Sequence, residues 1–117
     1  MAVTIYHNPR CSKSRQTLQL LQDKGIEPLI VEYLKTPPSE QELNRILKLL
    51  GLKPRDILRT REAEYKQAGL DDPSLSDAQI IKLMVEYPKV IERPIVVTDH
   101  SAALGRPPEK VLEVISD

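Results

Sequence analysis

The first 34 residues switch between two hydrophobic patterns, and this switch restricts the possible folds more than any other feature of the chain. Val3 and Ile5 alternate with their neighbours as in a short strand, and from Ser12 to Gly25 the apolar residues follow helical spacing. A run rich in β-branched residues at 28–34 then predicts a second strand. A strand, a helix and a strand in this order form a βαβ unit, whose right-handed crossover makes the two strands parallel.

The remainder of the chain predicts a helical block followed by two strands and a helix. Ser39 opens the block as an N-cap, residues 54–69 have helical character despite their many charges, and the block extends over about 39–87. Short strands follow at 94–98 and 102–104, before a closing helix. We therefore predict an α/β fold with a thioredoxin-like four-stranded mixed sheet, ordered βαβ and ββα. All 117 residues are expected to form a single domain, with the helical block as an insertion.

The composition of the chain limits the classes of partner that the protein is expected to bind. The chain has 17 basic and 17 acidic residues, so no broad positive field favours nucleic acid or an acidic membrane. No apolar stretch approaches the roughly 20 residues that span a bilayer, and the N-terminus lacks the basic start and apolar run of a secretion signal. The single cysteine cannot form an internal disulfide. We expect a cytoplasmic monomer with no nucleic-acid or membrane partner.

The strongest functional signal is the basic loop at 7–15, which contains the single cysteine, Cys11. The loop lies where the first strand passes to the first helix, so unpaired backbone amides and the positive end of the helix dipole face the sulfur. Arg10, Lys13 and Arg15 add positive charge nearby. A free thiol with a pKa of about 8.5 is only about 3% thiolate at pH 7, and these groups would lower that pKa. Cys11 is therefore predicted to be an activated sulfur nucleophile.

Two neighbours, His7 and Ser14, are candidates for tuning the sulfur. His7 would act as a nearby cation, and Ser14 through a hydroxyl hydrogen bond one turn into the helix. Each residue is also consistent with an ordinary structural role, as a hydrogen-bonded histidine at a strand end and as a first-turn serine. The residues alone leave these alternatives open.

The spacing around the cysteine excludes two other chemistries. A tyrosine-phosphatase loop needs Arg six positions after the nucleophile, where this chain has Thr17, and a dithiol C-x-x-C motif needs a second cysteine where it has Ser14. No His or acidic cluster has metal-ligand spacing and no Gly-rich nucleotide loop is present, so we expect no metal and no bound cofactor. A redox cycle would have to borrow an external thiol.

Three segments together resemble the glutaredoxin-coupled arsenate reductase family: the cysteine loop, Glu92-Arg93-Pro94 and Gly105-Arg106-Pro107-Pro108. The resemblance extends in order over nearly the whole chain. It implies a thioredoxin-like fold in which Cys11 is the nucleophile and His7 is the histidine that precedes it. It further implies that three arginines bind the oxyanion: Arg59, Arg93 and Arg106. It also implies that Pro94 is a cis-proline beside the cysteine.

The resemblance also implies a reaction, the reduction of arsenate to arsenite, with glutathione as co-substrate and glutaredoxin as partner. Ser12 and Lys13 follow the cysteine where the best-known members carry Gly-Thr, which leaves other substrates open. One alternative is a monothiol oxidoreductase that acts on glutathionylated proteins or another small substrate. The other is an Spx-like regulator that binds RNA polymerase, although its redox switch needs a second cysteine. By sequence alone, Arg59 lies in a charged stretch typical of a solvated helix face.

Overall fold

A four-stranded mixed sheet organises one part of the computed structural model, which describes residues 2–115. The strands are β1 (Thr4–His7), β2 (Leu29–Glu32), β3 (Ile95–Val97) and β4 (Ala102–Leu104). β1 is parallel to β2 and antiparallel to β3, and β3 is antiparallel to β4, which places the strands in the order β2-β1-β3-β4. This topology confirms the predicted thioredoxin-like sheet with its βαβ and ββα halves.

The core beside the sheet comes from its central strands and from two helical segments. Helix α1 (Ser12–Asp23) contacts a 3₁₀ helix (Pro108–Val111), which continues as α5 (Leu112–Ile115). The apolar stripe of α1 and the β-branched residues of β1 and β3 bury their side chains in one cluster, each contributing about 1.5–3 kcal/mol when fully buried. The buried members of the cluster are Val3, Ile5, Leu21, Val96 and Val111.

The chain divides into two compact units, one containing the sheet and one helical. The sheet unit comprises the two ends of the chain, and the helical unit comprises Pro37–Glu92. The helical unit is longer than the predicted insertion of about 39–87, because the chain beyond its last helix pairs with an earlier segment of the same unit. Ile91 forms an isolated β-bridge with Leu58 there. The grouping of both units in one domain stays a prediction.

The helical unit is built around two amphipathic helices that contact each other, α2 (Glu40–Leu50) and α4 (Asp77–Glu86). The short helix α3 (Ala63–Gln67) lies between them in sequence. The buried apolar residues of α2 and α4 are Leu43, Ile46, Leu47, Ile80, Ile81 and Met84. Across residues 2–115, every helix is too short or too polar to cross a bilayer.

The prediction of helical structure throughout 54–69 is wrong in the middle of that segment. A 3₁₀ helix at Pro54–Ile57 ends at Leu58, whose backbone is extended. The next residue, Arg59, donates its amide hydrogen to the carbonyl of Val90 at 2.7 Å. The backbone hydrogen bond of Arg59 is therefore made to a distant segment of the unit instead of within a helical turn. Local helix propensity does not predict such a long-range pairing.

Ser76 caps α4, and its removal tests how much this cap contributes to stability. The Ser76 hydroxyl accepts from the Gln79 amide at 3.2 Å, and the Gln79 side chain accepts from the Ser76 amide at 2.8 Å. We expect Ser76→Ala to lower the free energy of unfolding by about 1 kcal/mol, because one helical amide loses its acceptor. Urea denaturation followed by circular dichroism measures this loss.

The matched control for the cap is Ser12→Ala. Ser12 is exposed at the first position of α1, and its hydroxyl has no hydrogen bond within the part of the chain that the structure describes. This variant should change stability by less than about 0.5 kcal/mol. Equal losses in the two variants would contradict a specific contribution from the Ser76 cap.

Candidate active site

The turn between β1 and α1 holds Cys11 at the N-cap position of α1. Asn8 builds this turn, because its carbonyl accepts from the Cys11 amide and its side-chain Oδ1 accepts from the Arg10 amide, both at 3.0 Å. The thiol therefore lies beside the amides of the first helical turn, which lack helical acceptors. The sequence analysis did not select Asn8, although an Asn-Pro pair is a known turn signal.

The Cys11 sulfur is partly exposed and is surrounded by donors from the sheet unit. Burial raises the pKa of the Cys11 thiol, but the Ser14 amide and the guanidinium groups of Arg93 and Arg106 lower it by more. The pKa of Cys11 therefore lies below the ordinary value for a thiol, and more of the residue is thiolate at neutral pH. This arrangement supports an activated nucleophile.

The two arginines at the sulfur come from segments far from it in the sequence. Arg106 Nη1 lies 4.0 Å from Cys11 Sγ and donates a hydrogen bond to the Arg93 carbonyl at 2.9 Å. The Gly105 amide donates to the Pro94 carbonyl at 2.9 Å, which joins the end of β4 to the start of β3. The Arg93–Pro94 peptide bond is cis. The structure thus brings Arg93 and Arg106 to the cysteine loop.

His7 and Ser14 form a buried hydrogen-bonded pair at the end of β1. His7 Nδ1 lies 2.7 Å from Ser14 Oγ, which also accepts from the Asn8 amide at 3.0 Å. Burial lowers the pKa of His7; Glu32 opposes this effect, Arg15 adds to it, and the net pKa lies below the ordinary value. Because burial penalises the charged ring, the structure favours the hydrogen-bonded structural role of His7 over the nearby cation, the other role that the sequence left open.

The structure also distinguishes the two roles that the sequence left open for Ser14. Its hydroxyl bonds His7 and Asn8, so the hydroxyl hydrogen bond to the sulfur that was one of the two alternatives is not formed. The backbone amide of Ser14 is the group that lowers the pKa of Cys11. Ser14 thus contributes to the site twice, by donating its amide to the sulfur and by tying the end of β1 to α1.

The basic residues within the cysteine loop have a smaller effect on the Cys11 sulfur than their positions in the sequence suggest. Arg10, Lys13 and Arg15 are all exposed. The Arg15 guanidinium donates to the Pro9 carbonyl at 2.9 Å and so stabilises the turn. Exposed charges are screened by water and salt, so the partly buried guanidinium groups from the far end of the chain have the stronger effect on the sulfur.

Arg59 lies in the helical unit, and its guanidinium is held by two carboxylates. Its Nη1 lies 2.6 Å from Glu92 Oε1, and its Nε lies 3.4 Å from Glu62 Oε1. Burial opposes the charge of Arg59, but the hydrogen bonds and charges of Glu92 and Glu62 outweigh burial and raise its pKa above the ordinary value. Only 24% of the side chain is exposed, so Arg59 does not lie on the solvated helix face that its charged neighbours suggest.

The site in the sheet unit combines a nucleophile with groups that bind anions. Two guanidinium groups and the amides at a helix N-terminus favour an oxyanion, and the forked geometry of arginine suits a tetrahedral one. Between residues 2 and 115, no group of three or more His, Cys, Asp and Glu side chains is arranged to hold a metal ion. The arrangement can therefore hold a tetrahedral oxyanion next to a thiolate.

Two known proteins match this chain over nearly its whole length. The chain is 52% identical over 114 residues to an uncharacterized protein, YfgD, of Escherichia coli K12, covering 97% of this chain and 96% of the relative. It is 49% identical over 116 residues to an arsenate reductase of Haemophilus influenzae, covering 98% of this chain and 100% of the relative.

A solved structure shows the same fold. An arsenate reductase from Vibrio cholerae superposes with a TM-score of 0.94 at 52% sequence identity, covering 98% of each chain. The sequence profile of the ArsC family matches residues 6–114, which include the cysteine loop and the segments that carry the three arginines. The chain therefore belongs to the ArsC family.

Proposed function

We propose that this protein reduces arsenate to arsenite with Cys11 as its single catalytic cysteine. The observation that carries the proposal is the position of the Cys11 sulfur beside Arg106 and Arg93 at the start of α1. Relatives named arsenate reductases, each about half identical to this chain, support the same substrate. The thiolate attacks the arsenic atom, an S–As bond forms, and one arsenate oxygen leaves as water after taking up protons.

The remaining steps need two external thiols, because the chain has no second cysteine. Glutathione adds to the arsenic with loss of a second water. A glutaredoxin thiolate then attacks the glutathione sulfur, so that an S–S bond forms and the electron pair of the As–S bond reduces arsenic from As(V) to As(III). Hydrolysis of the remaining S–As bond releases arsenite and regenerates Cys11. The protein thus uses glutathione as a co-substrate and holds no bound cofactor.

The oxyanion is bound by guanidinium groups in this proposal. Arg93 and Arg106 provide charge-assisted hydrogen bonds beside the thiolate. Arg59 is included as a third ligand on the basis of the family resemblance, and its ion pairs with Glu62 and Glu92 keep it charged. His7 and Ser14 hold the cysteine loop in place through their hydrogen bond.

We also propose that the protein acts in the cytoplasm as a monomer. Its cycle consumes reduced thiols, and the cytoplasm is the compartment that maintains them. Equal numbers of acidic and basic residues favour neither nucleic acid nor an acidic membrane as a partner.

Cys11→Ser tests the nucleophile directly. The variant should lose all arsenate-dependent NADPH oxidation in an assay with glutathione, glutaredoxin and glutathione reductase, because a serine hydroxyl is not ionised at neutral pH. Circular dichroism checks that the variant folds. Wild-type turnover by this variant would contradict the mechanism. Reduction of a glutathione mixed disulfide by the wild type, without arsenate turnover, would favour a monothiol oxidoreductase.

The pH dependence of Cys11 alkylation tests the cationic environment of the sulfur. The rate with iodoacetamide follows the thiolate, so its midpoint should lie below the value of about 8.5 for a free thiol. Arg93→Gln and Arg106→Gln should each move the midpoint upward, because each removes a group that favours the thiolate. Arg45→Gln, at an exposed ion pair of the helical unit, is the control and should leave the midpoint unchanged. A midpoint that none of these variants moves would remove the arginines from the site.

Paired variants of the Arg59 ion pair separate binding from stability. Arg59→Gln should raise KM for arsenate about tenfold or more, because an oxyanion loses one charge-assisted donor. Glu92→Gln weakens the same ion pair but keeps the guanidinium, so it should lower stability without a comparable rise in KM. Steady-state kinetics and urea denaturation of both variants provide the comparison. Equal KM values for the wild type and Arg59→Gln would exclude Arg59 as a ligand.

A further inference from the structure

Gly105 lies against two side chains of the sheet unit, and the contact leaves no room for a methyl group. A Cβ atom built at Gly105 would lie 2.5 Å from Thr17 Oγ1, 2.7 Å from Pro94 Cγ and 3.2 Å from Thr17 Cγ2. Real Cβ atoms essentially never approach other atoms closer than 3.0 Å. The reason for glycine here is therefore close packing, in contrast to Gly25, where φ is +79° and nothing lies within 4 Å of the added atom.

Neither neighbour of Gly105 can easily give way. Thr17 is fully buried on α1, its hydroxyl donates to the Lys13 carbonyl at 2.8 Å, and its branched Cβ restricts rotation. Pro94 has a rigid ring, and its carbonyl accepts the Gly105 amide at 2.9 Å. An added methyl group would therefore have to displace backbone segments instead of rotating a side chain.

We propose that Thr17, Pro94 and Gly105 form a clamp that positions Arg106 against the Cys11 sulfur. Thr17 was noted in the sequence only because it excludes a phosphatase loop, and this packing assigns it a role. Gly105 and Thr17 are positioning residues in this proposal, since they act through the arginine. The effect of the clamp on turnover rests on the proposed function. Its effect on the Cys11 thiol does not depend on the substrate.

Two residues of the clamp are direct sequence neighbours of the two arginines at the sulfur. Arg93 precedes Pro94, and Arg106 follows Gly105. The Arg106 guanidinium donates to the Arg93 carbonyl at 2.9 Å and lies 4.0 Å from the sulfur, and the attraction between this cation and a thiolate falls as the two separate. A displacement of a few tenths of an ångström at Gly105 would therefore weaken the hold of Arg106 on the sulfur.

Gly105→Ala is the central test. The variant should alkylate with iodoacetamide about three- to tenfold more slowly than the wild type at about pH 6, because less of Cys11 is thiolate when Arg106 is displaced. The midpoint of thiolate absorbance against pH should move upward in parallel. KM for arsenate should also rise. A folded Gly105→Ala variant with wild-type alkylation and midpoint would overturn the clamp while leaving the proposed reductase activity intact.

Gly25→Ala is the matched control, because it makes the same chemical change in the same unit. It strains the backbone at positive φ without a steric contact. Gly25→Ala should lower the urea midpoint and leave the alkylation rate unchanged. If both glycine variants slowed alkylation equally, general destabilisation would explain the effect and the clamp would be rejected.

A double variant tests the contact itself and covers the case in which Gly105→Ala does not fold. Thr17→Ala removes both threonine atoms that crowd the new methyl group, whereas the Pro94 contact remains. Thr17→Ala/Gly105→Ala should therefore fold, and it should alkylate faster than Arg106→Gln and no faster than Thr17→Ala. A folded double variant that alkylates as slowly as Arg106→Gln would contradict the proposal, because removal of the Thr17 contact would then not have returned Arg106 to the sulfur.

Discussion

The stabilisation of negative charge on the Cys11 sulfur is the physical constraint on which the rest of the site depends. Partial burial opposes that charge, so the surrounding donors must contribute more than burial removes. A hydrogen bond to a charged group contributes about 1.5–3 kcal/mol. The Ser14 amide and the guanidinium groups of Arg93 and Arg106 together outweigh the effect of burial, provided that the fold holds them at the sulfur.

The mixed sheet supplies those donors because of its strand directions. β3 is antiparallel to β1, so the start of β3 lies beside the end of β1, and the antiparallel β4 returns to the same edge. The cysteine loop follows β1, Arg93 lies just before β3, and Arg106 follows β4. One edge of the sheet thus collects three segments that are distant in the sequence, and the hydrogen bond from Arg106 to the Arg93 carbonyl connects two of them.

The sequence analysis succeeded where local pattern decides the structure and failed where distant pairing decides it. The strand, helix and strand at the N-terminus were visible from hydrophobic spacing, and α1 and its cysteine loop lie where that spacing put them. The segment around Arg59 was expected to be helical and solvated because of its charges. Its backbone instead pairs with Val90, and its guanidinium bonds Glu92, a partner 33 positions away that no local pattern identifies.

The sequence by itself determined the βαβ and ββα order, the single thiol at a strand-to-helix junction and the lack of a second cysteine, because these depend on residue type and short-range spacing. Tertiary structure alone decided which cations act on the sulfur, the burial that lowers the pKa of His7, and the partners of the Ser14 hydroxyl and amide. Each of these depends on desolvation and on distances of a few ångströms between segments far apart in the chain. Such distances exist only once the sheet has formed.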